Sequence, residues 1–561
     1  MTFDISDISK ENYLSLVLNT ICAKICVTPT DYKTLEDHFN GLTEVLNNGI
    51  DKRFTPVLRT QGSIRLGTAI KPLRGYGLDA DIICELYNVP TWYTQEDVQE
   101  IVGRVLREHE KYNKLLKEPQ GGRRCFTIEY ADGTHVDILP CVVNENYRQR
   151  MLLASSNDED YILKITDKED PGFSKETNRD LWHKSNPIGY ANKFQKIAIR
   201  FEYKNKSMME MRASVEPFPE YETKEEKLTL QRVVQLLKRH RDVKMGTDED
   251  KPVSILITTL AEMAFEKSGG GNLYTVFSYI VLHLKDYIQY NNGKPVVPNP
   301  VLPAENFADK WSEKPRKKRR FDDWYEILKA DIQALKILDG VDLANKLKEI
   351  FGENPVNLAY RDMAQKSRED ITSGQMTMST QTGSWGHNQG GKVSKPHTFY
   401  ALNHKRASSI KVQVQGDGYR LMPSKPHLGI EVQKRILKDT YPNSWIHEKS
   451  NGFDWFMEMK PKADSLTYTV KIEVRQNYVP QVQIVNPMPL AYAQGKNSYE
   501  HINHPQHEQY LCLNVKGEWT PDMRIADTFV PWAAEWLLQY EYWLVTGEWD
   551  GGGHRRDFYK R

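Results

Sequence analysis

The chain has 561 residues, and its 76 Lys and Arg against 75 Asp and Glu leave a formal charge of +1. That balance excludes a histone-like basic protein and an acidic tail protein, and 39% hydrophobic residues exclude a wholly disordered chain. No window approaches the roughly 18 apolar residues of a membrane helix, no basic-then-apolar leader opens the chain, and six cysteines are too few for a disulfide framework. A cytoplasmic protein with reduced thiols is expected, with no membrane contact.

Four segments are expected in chain order. Residues 1–210 alternate helical and strand patterns, with strand-like runs at Leu78–Leu86 and Thr134–Pro140. Residues 211–363 are mainly helical: Leu230, Val233, Val234 and Leu237 recur at i, i+3, i+4 and i+7 and make one apolar stripe. Helical patterns follow at Pro252–Lys267, Thr275–Ile288, Asp323–Leu338 and Asp342–Phe351. From Ala364 periodicity gives way to Ser, Thr, Gln and Gly, so 364–421 is expected to be a flexible tail or linker. Residues 422–561 hold seven of the twelve tryptophans and mark a further domain. The tryptophan cluster is expected to pack a core rather than to stack bases.

Three aspartates carry the first chemical signal. Asp79 and Asp81 are two apart on a strand, so their carboxylates share a face. Asp137 lies in a second strand among apolar neighbours. Clustered like charges are unfavourable without a neutralising cation, and three hard oxygen donors suit a pair of Mg²⁺ ions. Upstream, Gly62-Ser63 in Gln61–Thr68 offers backbone N–H groups and a hydroxyl to a phosphate. The plainer reading is a pair of exposed strand-end aspartates beside an ordinary glycine turn.

In that order, Gly62-Ser63, Gly67-Thr68, Asp79-x-Asp81 and a distant Asp137 resemble the polymerase-β-type nucleotidyltransferase signature. The spacing is closest to the cGAS/DncV-like branch, the CD-NTases that make cyclic oligonucleotide signals in bacterial anti-phage defence (CBASS). Asn186–Ala191, Leu236–Asp242, Lys251–Ser254, Val297–Val301 and Glu305–Phe307 support that branch. The resemblance covers about 1–360 and implies an α+β catalytic lobe followed by a helical lobe. It implies NTP substrates, two Mg²⁺ ions on Asp79, Asp81 and Asp137, and triphosphate contacts from Lys238 and Ser254. A bland role stays open for both: a solvated lysine and a helix N-cap serine. The family's further acidic position on the first strand is Ile83 here. A downstream effector would respond to the product.

The last segment resembles a second family. A helix at Gly429–Tyr441, strand-like stretches at 455–459, 466–474 and 482–485, and a His-Pro segment precede Cys512 and a closing helix. This looks like the ubiquitin-conjugating-enzyme fold, closest to the bacterial proteins encoded beside CD-NTases. The resemblance implies that Cys512 forms a thioester with a protein's C-terminal carboxylate, the partner being a nucleotidyltransferase C-terminus. A buried structural cysteine is the alternative. Asn503, Gln506, His501 and His504 compete as the polar groups that serve it.

Three functions compete. The first is a cyclic oligonucleotide synthase regulated by its conjugating domain. The second is a primer-extending or linear-oligonucleotide nucleotidyltransferase with a non-catalytic C-terminal binding module, and the third is a scaffold with a dead site. The basic run 314–320 is expected to be a solvated loop, with RNA or partner contact as its rival; no nucleic-acid groove is expected.

Overall fold

Ala80 alternates with Asp79 and Asp81, and an apolar run interrupted only by Glu85 continues to Tyr87; this segment forms a central strand of a six-stranded sheet. The computed structural model describes residues 10–73, 77–143, 161–201, 218–223, 226–387, 390–397, 427–462, 464–476, 478–497, 502–503, 510–514 and 518–550. It divides into two compact units, one of Ile21–Gln333 and one of Met1–Thr20 with Ala334–Arg561.

In the first unit the strands are β1 (Thr55–Gln61), β2 (Asp79–Tyr87), β3 (Phe126–Glu129), β4 (His135–Val143), β5 (Leu163–Ile165) and β6 (Lys184–Ser185). Their order is β1-β2-β4-β5-β6, and β3 pairs with β4. β2 and β4 run parallel, which places Asp79 beside His135 and Asp81 beside Asp137. Ala80, Ile82, Cys84 and Leu86 turn one sheet face onto helices Pro29–Gly49 and Gln95–Glu108, through Phe39, Leu42, Val98 and Val102. The other face begins with the aspartates and is closed farther along by Ile83, Tyr87, Leu139, Leu163 and Ile188. Ile83 therefore serves the core.

The helical part follows the predicted stripe. The helix Thr229–Met245 buries Leu230, Val233, Val234 and Leu237 completely against Ser254–Phe265 and Leu273–His283. The basic run departs from the expected loop. Pro315 starts a helix that continues to Ile337, since proline suits a first helical turn. Three of its charges are met by the acidic loop before the Ser254 helix: Arg316 and Lys317 pair with Asp250 at 3.0 and 3.4 Å, and Arg320 with Asp248 at 2.6 Å.

In the second unit, helices Gly340–Phe351 and Glu353–Thr372 pack on the closing helix Phe529–Thr546. The first residues of the expected linker, 364–372, are thus the end of a helix that buries Ala364 and Ile371. Ribbon strands Thr377–Met378 and Trp385–Gly386 come next. Lys392–His397 then lies along the closing helix: Lys392 pairs with Asp527 at 2.7 Å, and the indole N–H of Trp532 donates to Lys395 O at 2.9 Å. Ser394 donates to the buried Glu535 at 2.8 Å. Residues 398–421 of the expected linker lie outside the described residues.

A helix Ile430–Thr440 and an antiparallel sheet make the C-terminal fold. Its strands are ordered Trp445–Lys449, Gly452–Met459, Tyr468–Arg475, Gln481–Asn486, Tyr510–Leu511 and Ile502–Asn503. Trp455, Trp532, Trp536 and Trp543 are fully buried, as a packing role requires. A charged knot ties the fold to the helices before it. Buried Lys462 bonds Asp464 at 2.7 Å and Glu541 at 2.9 Å, with its ammonium 5.4 Å from the Tyr13 ring centre. Desolvation alone would favour a neutral Lys462, but Asp464 and Glu541 hold it protonated.

Candidate active site

The candidate face is set by one turn and two strands. β1 pairs antiparallel with β2 so that Gln61 faces Asp81, and the chain turns immediately after it into the short helix Gly62–Arg65. Gly62 has φ +60, and a Cβ there would lie 2.3 Å from an Asp81 carboxylate oxygen. Glycine is thus needed both for the backbone and for the approach of the Gly-Ser turn to the aspartate. The turn is tied down by Leu66 N–H to Gly62 O at 3.1 Å and Thr68 N–H to Ser63 O at 2.9 Å.

Asp81 carries the electrostatic cost of this arrangement. Burial first, then Asp137 and Asp79, push its carboxyl up to about 6. Asp79 moves in the same direction through partial desolvation, with His135 opposing and Asp137 adding. Its side chain is 80% exposed, so solvent screens it more than Asp81. Two partners escaped the sequence reading. His135 Nδ1 lies 3.4 Å from Asp79 Oδ1, and Thr127 donates its hydroxyl to Asp137 from the adjacent β3. Both residues face these carboxylates only because of sheet pairing, a long-range fact that no local spacing reports.

The donor set fits hard divalent cations: carboxylate oxygens only, on one face, with an unneutralised charge that raises Asp81. Among the described residues no three His, Cys, Asp or Glu side chains close around a single cation-sized point. The carboxylates are neighbours in register rather than a preformed cage.

Lys238 reaches the same region from the helical part. Its buried ammonium donates to Thr68 O at 3.0 Å, and it feels both Asp81 and Asp79. Burial, reinforced by Arg241, pushes it down to about 8. Ser254 is the first residue of its helix, after the cap position Val253. Its hydroxyl accepts from Arg241 Nη1 at 3.0 Å, and Arg241 stands three residues beyond Lys238. Other motif residues hold turns: Asn186 Oδ1 accepts Gly189 N–H at 2.8 Å, and Asn306 Oδ1 accepts the N–H groups of Val297 and Ala308, each at 2.9 Å.

Cys512 belongs to the other unit. It follows the short strand Tyr510–Leu511, is partly exposed, and lies beside the Ile502–Asn503 strand through the pairing of Leu511 with Ile502. His501, His504, Gln506 and His507 lie outside the described residues. The remaining five thiols all sit above their ordinary range, chiefly through burial, with Cys84 and Cys125 pushed up to about 12.

The fold is that of a polymerase-β-type nucleotidyltransferase lobe with a helical lobe, followed by a ubiquitin-conjugating-enzyme-like α+β domain. Residues 14–169 match the Second Messenger Oligonucleotide or Dinucleotide Synthetase domain, and residues 433–556 match the Type II CBASS E2 protein. A "c-di-GMP synthase" of Roseivirga ehrenbergii is 30% identical over 309 residues, 54% of this chain and 74% of that protein. The "cyclic dinucleotide synthase CdnG" of Bradyrhizobium diazoefficiens is 24% identical over 270 residues, 45% of this chain and 60% of that protein. The solved structure of that organism's CD-NTase CdnG in complex with GTP is 17% identical, covers 63% of this chain and 99% of that one, and has a TM-score of 0.45. The chain belongs to the CD-NTase family of nucleotidyltransferases related to cyclic dinucleotide synthases, and it carries an E2-CBASS domain. Among the described residues no helix is long and apolar enough to cross a membrane.

Proposed function

We propose that the chain condenses NTPs into a cyclic dinucleotide signal for anti-phage defence, to which a separate effector responds. The observation that carries this is the register of Asp81 beside Asp137, with the Gly62-Ser63 turn seated against Asp81. Asp79, Asp81 and Asp137 would hold two Mg²⁺ ions. Bound there, the ions would neutralise charge at the α-phosphate and lower the pKa of the attacking 3′-hydroxyl. The turn's backbone N–H groups and the Ser63 hydroxyl would orient the triphosphate, and Lys238 would exchange Thr68 O for a phosphate oxygen. Ser254, held by Arg241, would cap the same phosphate end.

The primer-extending alternative had only weak support in the basic run, and it is weakened further because Arg316, Lys317 and Arg320 of that run pair with Asp250 and Asp248. Labelled NTPs with Mg²⁺ test the proposal: a phosphatase-resistant product supports the cyclic reading, whereas a phosphatase-sensitive ladder supports linear extension. Asp79→Ala with Asp81→Ala should abolish either product without unfolding the chain.

For the C-terminal domain the proposal is that Cys512 takes up a protein C-terminus already activated by a separate ATP-consuming enzyme. The thiolate displaces the activating group to form a thioester, and an amine then displaces Cys512 as a free thiol to leave an amide, regulating the synthase. Its support is the E2-CBASS match and the partial exposure of Cys512. A thiol-sensitive adduct that disappears in Cys512→Ala and becomes stable in Cys512→Lys is the expected result. An adduct that persists in Cys512→Ala leaves the domain a binding module.

A further inference from the structure

One face of the Thr229–Met245 helix is spent on backbone carbonyls instead of apolar packing. Gln231 Nε2 donates to Leu66 O at 3.0 Å, Gln235 Nε2 to Ala69 O at 2.9 Å, Lys238 Nζ to Thr68 O at 3.0 Å and Arg239 Nη2 to Lys71 O at 2.7 Å. Lys227, just before the helix, donates to Gly67 O at 2.9 Å. These donors satisfy every carbonyl from Leu66 to Lys71 except that of Ile70.

Two of these peptide planes are also held on their other side. A planar trans amide points its C=O and N–H in opposite directions. The 66–67 plane is fixed between Gln231 and Ile64 O, which accepts Gly67 N–H at 3.1 Å. The 67–68 plane is fixed between Lys227 and Ser63 O, which accepts Thr68 N–H at 2.9 Å. The position of Ser63 is therefore set by side chains more than 160 residues away in sequence. Gly67 lets the glutamine approach: at φ +67, a Cβ would lie 2.2 Å from Gln231 Nε2.

Burying two amides is costly unless they bond, and these two are 1% and 0% exposed. Gln231 bonds Leu66 O, Glu222 and Leu228 N–H, while Gln235 bonds Ala69 O and the Cys26 thiol. Apolar side chains would fill the same volume without that cost. What only amides do here is fix the loop's height and direction.

We infer that Gln231 and Gln235 are positioning residues for nucleotidyl transfer: they clamp the loop after Gly62-Ser63 so that the turn presents Ser63 and its backbone donors to a nucleoside triphosphate. The inference rests on reading that turn as the triphosphate seat. The clamp acts before substrate arrives and touches no reacting atom, so its loss falls on nucleotide binding more than on turnover.

The test uses the full chain with Gln231→Met and Gln235→Met, which keep length and remove the donor. Binding of non-hydrolysable ATP and GTP analogues is measured with Mg²⁺, together with KM, kcat and hydrogen exchange at residues 62–71. Each variant should bind the analogue about tenfold more weakly, the worth of one buried hydrogen bond. KM should rise in parallel, kcat should stay within about twofold, and the Gly67 and Thr68 amides should exchange faster. Unchanged analogue binding and KM overturn the inference, as does a fall in kcat and melting temperature with KM unmoved. Should the buried variants fail to fold, Lys227→Met tests the same clamp from the edge and is held to the same outcomes. A wild-type chain that binds neither analogue overturns the triphosphate-seat reading itself, a failure visible before any variant is compared.

Discussion

Asp81→Asn isolates the electrostatic cost of the carboxylate face. Asp81 rises from 3.8 to about 6 in the folded protein, through burial, Asp137 and Asp79 in that order. The folded state therefore holds the Asp81 proton more tightly than the unfolded chain does. Stability that is fully present below about pH 4 is lost as pH rises through about 6. The displacement corresponds to about 3 kcal/mol at neutral pH, as an upper bound. Asparagine keeps the shape and removes the charge. In EDTA, urea unfolding combined with hydrogen exchange on β2 and β4 should find variant and wild type equal near pH 4. At pH 7 the variant should be more stable by roughly 1–3 kcal/mol. Mg²⁺ should then stabilise the wild type at pH 7 and shrink the gap, while the variant makes no nucleotide product. A gap that is the same at pH 4 and pH 7, or an asparagine variant that is the less stable one at pH 7, refutes the reasoning.

Gly62→Ala should cost about 1–2 kcal/mol in thermal unfolding from its left-handed backbone and should abolish NTP consumption, because the new Cβ meets the Asp81 carboxylate. Alkylation followed by peptide mapping should label Cys512 before Cys22, Cys84 and Cys141, which are buried, and Cys512→Ala should leave nucleotide synthesis intact. Lys462→Met should destabilise the second unit by about 3–5 kcal/mol in urea, since Asp464 and Glu541 are left buried without their cation. A loss under about 1 kcal/mol would show that the knot relaxes into solvent.

What the sequence displayed was local. The spacing of Asp79 and Asp81, the 230-233-234-237 stripe and the strand patterns of the C-terminal domain each follow from periodicity, and the structure forms them as read. The start of the 315–337 helix was hidden because six charged or proline residues carry no apolar stripe; their helix is supported instead by acidic partners 66–72 residues earlier. His135, Thr127 and the two glutamines were hidden for a similar reason. Each gains its role from a strand or loop brought beside it, and a buried glutamine on a helix looks in sequence like any solvated one. Residues 364–372 read as linker because Ser, Gln and Arg fill their exposed side, while Ala364 and Ile371 are the only apolar residues that mark the buried side, shared there with Asp370.

The division into units has a consequence for the order of synthesis. Tyr13, Leu14, Val17 and Leu18 belong with residues 334–561, although they are synthesised before the whole of Ile21–Gln333. The unit Ile21–Gln333 is complete once its own last residue has emerged. The partners of Tyr13, including Lys462, follow only during the remaining 228 residues, counted from 334 to 561. At roughly 5–20 residues per second, that is a wait of roughly 10–45 s. Through that interval one flank of the helix Lys10–Ile25 has no native cover. A stalled or prematurely terminated chain would then carry a folded nucleotidyltransferase core with an uncovered apolar leader, a ready mark for chaperones and proteases.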